Sequence, residues 1–103
     1  MRQIELGKSG LFVPTIAVGC MRINGLDEKK AAAFVQTALE HGANFFDHAD
    51  IYGRGECERI FSRAIGMCPS VREKIFLQSK CGIVPGKMFD FSKEHILNSV
   101  DGI

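Results

Sequence analysis

Asn44-Phe45-Phe46-Asp47-His48-Ala49-Asp50-Ile51-Tyr52-Gly53 reads as an apolar strand that ends on a carboxylate and runs into a turn. Ala43 to Phe46 supplies most of the run, and Asp47 stands at its C-terminal end. A second run, Lys74-Ile75-Phe76-Leu77-Gln78-Ser79, ends the same way, on Lys80. Thr15-Ile16-Ala17-Val18-Gly19 is a third, nearly continuous apolar stretch. Such runs suit a parallel sheet covered by helices better than a half-solvated antiparallel one.

The segments between these runs have helical spacing. Asp27 is a good N-cap, Glu28 falls in the positive first turn, and Ala31, Phe34, Val35, Ala38 and Leu39 form one apolar face. His41 closes that helix and Gly42 follows it. A second helix is expected from about Gly55 to Ile65, with Cys57, Ile60, Phe61, Ala64 and Ile65 as its buried stripe and Gly66 and Pro69 as its stop. After Lys80 a polar, glycine-containing loop runs to Asp90. Ser92 then caps a third helix, in which Ile96, Val100 and Ile103 keep the spacing. At the N-terminus, Gln3-Ile4-Glu5-Leu6, a Gly7-Lys8-Ser9-Gly10 turn and Leu11-Phe12-Val13 suggest a small hairpin before Pro14.

This order predicts an α/β fold: a small β-hairpin, then about three βα units forming the N-terminal part of a (β/α)8 TIM barrel, as one domain over residues 1–103. Polar groups at the C-terminal ends of successive strands match where such barrels place their active sites. A whole barrel takes ~250 residues, so 103 residues supply about two-fifths of one. No repeat, low-complexity tract or linker interrupts the chain.

Composition excludes several function classes. Thirteen Lys+Arg against twelve Asp+Glu give no basic surface for nucleic acid or an anionic membrane. No run approaches ~18 apolar residues, and Met1-Arg2-Gln3-Ile4-Glu5 lacks a signal peptide's apolar core, so a cytoplasmic protein is expected. Cys20, Cys57, Cys68 and Cys81 form no C-x-x-C pair and read as reduced thiols, most of them packing residues. The histidines lack metal-ligand spacing, so no metal site is expected.

Asp47, Tyr52 five residues on and Lys80 a further 28 along are the parts of a tuned proton donor. A free phenol has a pKa of roughly 10, and a cation held beside it favours the phenolate. A carboxylate next to the lysine fixes that cation and keeps it charged. One acid, one cation and one orienting carboxylate suit carbonyl reduction, where the oxygen is protonated as hydride arrives.

Phe46-Asp47-x-Ala49-x-x-Tyr52-Gly53, then Glu58, then Ser79-Lys80 resembles the signature region of the aldo-keto reductases, and the likeness runs from the opening hairpin to Ile103. The resemblance implies an NADPH-dependent reduction of aldehydes or ketones to alcohols. Tyr52 would be the general acid, Lys80 its tuning cation and Asp47 the orienting carboxylate. It also implies that Gly19-Cys20-Met21-Arg22 meets the nicotinamide ribose, with Asp47 touching it too, and that the partner is a small carbonyl substrate. Position 48 is His where many members carry Thr or Ser. The family's fourth catalytic residue, a His ending the next strand, falls past Ile103. The implied alternative is therefore a nicotinamide-binding or regulatory subunit without turnover, or a truncated remnant. Self-association or a completing chain is then expected.

Each residue also has a plainer reading. Asp47 is also explained as a strand-end cap, Tyr52 as a loop aromatic and Lys80 as a solvated charge; only their order on the strands favours function. Asp50 suits a turn. Strand alternation points His48 away from the face of Asp47, into packing. Gly53-Arg54-Gly55-Glu56 is no phosphate loop, because Glu58 stands where its last glycine is needed; a helix start explains it better. An open doubly wound sheet lacks its glycine-rich loop after the first strand.

Overall fold

A computed structural model describes residues 1–103. Strands β1 (Gln3–Glu5) and β2 (Phe12–Pro14) pair antiparallel, Gln3 opposite Pro14, and form the expected hairpin. Strands β3 (Val18–Gly19), β4 (Phe45–Asp47) and β5 (Phe76–Gln78) form one parallel sheet in the order β3-β4-β5. Helix α1 (Glu28–Glu40) connects the first two strands, and α2 (Glu56–Ile65) lies between the second and third. A short 3₁₀ turn, Ile23–Gly25, precedes α1, and another, Tyr52–Gly55, precedes α2.

Asp27 caps α1 as its sequence position suggested, its carboxylate accepting the Lys30 N–H at 2.8 Å. Ala31 and Val35 on α1, Cys57 and Phe61 on α2, and Phe46 on β4 make the core with Cys20, Ile23 and Ile75. The Phe46 and Phe61 rings meet with centroids 4.8 Å apart. Only 14 of the 103 residues are buried, so the core covers one face of the sheet and leaves much apolar surface open. Ile4, Leu6, Leu11 and Ile16 are all exposed.

Three expectations change. The strand expected over 15–19 shrinks to Val18–Gly19, because Thr15 is drawn back toward the hairpin by its N–H bond to Arg2 O and Ile16 is left exposed. Gly66, in left-handed backbone, ends α2 by itself, and Pro69 instead starts a short helix, α3 (Pro69–Arg72), where proline's missing N–H is harmless. The segment expected as a loop before Asp90 contains a hairpin, β6 (Ile83–Val84) with β7 (Met88–Phe89). Gly82 at its base has φ +127°, a conformation L side chains rarely adopt, and a Cβ there would have to displace the Phe91 ring, so glycine is favoured.

Helix α4 (Lys93–Gly102) begins at Ser92, whose hydroxyl accepts the His95 N–H at 3.2 Å. Its apolar residues Ile96, Leu97, Val100 and neighbouring Ile103 remain exposed rather than buried. No helix is long and apolar enough to cross a membrane.

Candidate active site

The parallel register brings Gly19, Asp47 and Gln78 level with one another at the C-terminal edge of the sheet. Backbone bonds continue the ladder beyond the strands: Cys20 N–H to Asp47 O, His48 N–H to Gln78 O and Asp50 N–H to Lys80 O, at 2.8–3.0 Å. Asp47 and Lys80 are thereby held on neighbouring, tied backbones. Because side chains alternate along a strand, Phe46 enters the helix-side core while Asp47 faces the other way.

The Lys80 ammonium donates to Asp47 Oδ1 at 2.7 Å and to the His48 carbonyl at 2.6 Å. It also lies 5.1 Å from the centroid of the Tyr52 ring. Tyr52 opens the turn that follows Asp47, its N–H bonded to Ala49 O at 3.1 Å, and its ring packs partly against the core. The chain then needs left-handed backbone at Gly53, Arg54 and Gly55 to enter α2. At Gly53 a Cβ would also lie 3.0 Å from Asn24 Nδ2 and from Cys57 Sγ, so glycine is required twice over.

Burial opposes charging Lys80, but hydrogen bonds and charge from Asp47 and Tyr52 outweigh it, and its pKa is raised. Lysine therefore stays cationic beside the phenol throughout the neutral range. The three groups expected from sequence to act together stand together here.

The residues expected at a cofactor divide. Gly19 has nothing within 4 Å of where a Cβ would be, which leaves the flank of Asp47 open on that side. Met21 and Arg22 are exposed. Cys20 is 1% exposed and belongs to the core, so its side chain cannot reach a ligand on the Asp47 face. Burial first, then the charges of Asp47 and Cys57, push its thiol up to about 12, which makes it a poor nucleophile.

His48 is buried, 2% exposed, with its ring set edge-on against Phe61 at 4.7 Å and neither nitrogen hydrogen-bonded within the protein. Burial lowers its pKa against the opposing pull of Glu58 and Asp47. It borders a cavity of about 250 Å³ between α2 and β5, with Glu58, Phe61, Leu77 and Ser79. That cavity is on the helix side of the sheet, away from the ion pair. Ser79 donates to Glu58 there at 2.6 Å, tying the end of β5 to α2.

Gln78, expected only as a strand residue, donates its amide N–H to Asp47 Oδ1 at 2.5 Å. A period-two count back from Lys80 would have placed it on the same face. His95 is half-buried and sits 3.9 Å from Asp90. No group of three or more His, Cys, Asp or Glu side chains is placed to hold a metal ion.

A partial parallel βα barrel with charged and phenolic groups at the C-terminal strand ends defines a class of enzyme-bearing scaffold. Residues 15–103 match the family model described as "Aldo/keto reductase family". The chain belongs to the aldo/keto reductase family.

It is 35% identical to the uncharacterized oxidoreductase YcsN of Bacillus subtilis, over 98% of this chain and 37% of that protein. It is 36% identical to a 6-dehydroglucose reductase of Novosphingobium aromaticivorans, over 94% of this chain and 34% of that one. The holo form of the aldo-keto reductase AKR11C1 from Bacillus halodurans superposes with a TM-score of 0.83 at 34% identity, over 99% of this chain and 35% of that structure. The chain thus spans little more than a third of the length of these relatives.

Proposed function

We propose that this chain carries the proton-donating half of a nicotinamide-dependent carbonyl reductase, with NADPH as the reductant and an aldehyde or ketone as substrate. The observation that supports it most is the meeting of Asp47, Lys80 and Tyr52 at one strand edge. A reduced nicotinamide, when bound, supplies hydride to the carbonyl carbon. Tyr52 gives its phenolic proton to the carbonyl oxygen, producing the alcohol. Lys80 stabilises the phenolate that remains until solvent returns a proton. Asp47 keeps the ammonium in place and charged.

The residues present suit such a cofactor. The open flank at Gly19, level with Asp47, admits a ribose to the carboxylate without a side chain in the way. Met21 and Arg22, both exposed, follow the buried Cys20 and would border it.

The native polypeptide, incubated with NADPH or NADH and a panel of aldehydes, ketones and oxidised sugars, provides the test. The sugars are included because one relative is a 6-dehydroglucose reductase. Alcohol formed in step with oxidised NADPH is expected, and faster than with NADH. Cofactor binding without oxidation by any carbonyl would refute the reductase reading and favour a binding subunit.

A further inference from the structure

Asp47 Oδ1 accepts two hydrogen bonds, from Lys80 Nζ at 2.7 Å and from Gln78 Nε2 at 2.5 Å. Its second oxygen accepts none from the protein. Gln78 is the direct cross-strand partner of Asp47 in the β4–β5 ladder, and its own carbonyl accepts the His48 N–H at 2.8 Å. The amide thus reaches the carboxylate from a backbone locked to the residue after Asp47. An ionised carboxylate can only accept, so the amide must present its NH2 group there.

The His48 carbonyl also holds Lys80, but rotation of the Asp47 carboxylate itself is restrained only by the ion pair and by Gln78. Lys80 and Asp47 side chains are 46% and 27% exposed, and pairs so wetted by solvent hold their geometry weakly. A neutral donor from the adjacent strand restricts carboxylate rotation without adding a charge that competes for Lys80. We infer that Gln78 is a positioning residue: it orients Asp47 so that Oδ1 holds Lys80 against Tyr52 while the other carboxylate oxygen stays free for a ligand. This inference rests on the proposed reductase reading for its catalytic consequence, but not for its geometry.

The test compares wild type, Gln78→Leu and the near-isosteric Gln78→Glu in the native polypeptide. Two readouts are needed: the pH profile of kcat/KM, and the Lys80 ammonium titration followed by NMR with labelled lysine. Gln78→Leu is expected to lower kcat/KM roughly 10- to 100-fold through misplacement, with thermal stability little changed. The Lys80 titration should move down toward that of an ordinary lysine. In Gln78→Glu, a second carboxylate repels Asp47 at neutral pH, but once protonated by acid it donates to Oδ1 as the amide did. Its activity should therefore recover relative to wild type on acidification, which a residue with a merely structural role would not produce.

If either the kcat/KM profile or the Lys80 titration matches wild type in both variants, the inference is overturned while the reductase reading stands. If wild type itself lacks turnover, that reading fails, and the Lys80 titration alone decides the role of Gln78.

Discussion

Lys80 closes an ion pair with Asp47 at 2.7 Å across 33 residues of sequence, and spends a second hydrogen bond on the backbone of the next residue, His48. Two acceptors from one turn of chain fix the ammonium more firmly than a carboxylate alone. Half-exposed as it is, the pair contributes little to stability. Asp47→Asn should change unfolding free energy by no more than ~1 kcal/mol, read by denaturant titration. The same substitution should cost roughly 100-fold or more in kcat/KM, since the cation beside Tyr52 loses its counter-charge and is left to the His48 carbonyl. A loss of stability without a loss of activity would contradict this division.

The raised pKa of Lys80 sets a pH window. Its contribution is complete below the unfolded lysine value of about 10.4 and fades as pH rises through the higher folded value. Stability should therefore be independent of this group from neutral to mildly alkaline pH. Lys80→Met should remove part of the alkaline decline, measurable as a flatter melting temperature above about pH 10.

His48 works in the opposite direction. Its folded pKa is lowered, chiefly by burial, so below about pH 6.5 the unfolded chain binds a proton that the folded chain resists. Stability should fall as pH drops from about 6.5 through the folded value, and then level off. His48→Leu removes two unpartnered nitrogens at nearly constant volume. It should leave stability at neutral pH unchanged or improved, and flatten the acid slope. Thermal melts between pH 4 and 8 would check it; an unaltered slope would assign the acid loss elsewhere.

The turn after Tyr52 stores backbone strain in one residue. Arg54 is the only non-glycine residue with positive φ, at 55°. Arg54→Gly should relieve up to ~1 kcal/mol, net of the greater freedom gained in the unfolded state. Gly53→Ala should instead destabilise by about 1–3 kcal/mol, since it adds strain and crowds Asn24 and Cys57. Parallel denaturant titrations of the two variants should show opposite signs.

The three-stranded sheet is open at β3 and β5, with exposed Leu77, Ile16 and Leu11 nearby. Residues 1–103 expressed alone should self-associate or bind a hydrophobic dye, as uncovered edges and apolar faces do. A sharp monomer in sedimentation with one cooperative thermal transition would contradict this.

The sequence was legible where period and punctuation agree. Asp27, Gly66 and Ser92 mark helix ends by local chemistry, and the apolar faces of α1 and α2 repeat cleanly enough to place Val35, Cys57 and Phe61 in the core. Other features depend on contacts between distant segments. The β6–β7 hairpin is only two residues a side, too short for alternation to show. The buried Cys20 side chain follows from the turn after β3, which no local pattern encodes. Gln78 was visible as a face-mate of Lys80, but its bond to Asp47 depends on the β4–β5 register, which a strand pattern alone does not fix.

The central claim is that Tyr52 donates the proton during carbonyl reduction, and Tyr52→Phe in the native polypeptide tests it most directly. NADPH binding by fluorescence and kcat with a reducible carbonyl should be measured on the same preparation. The expected result is a fall in kcat of about 10²- to 10⁴-fold with cofactor affinity nearly unchanged. An unchanged kcat would remove Tyr52 from the chemistry, and with it the reason for Lys80 and Asp47 to stand where they do.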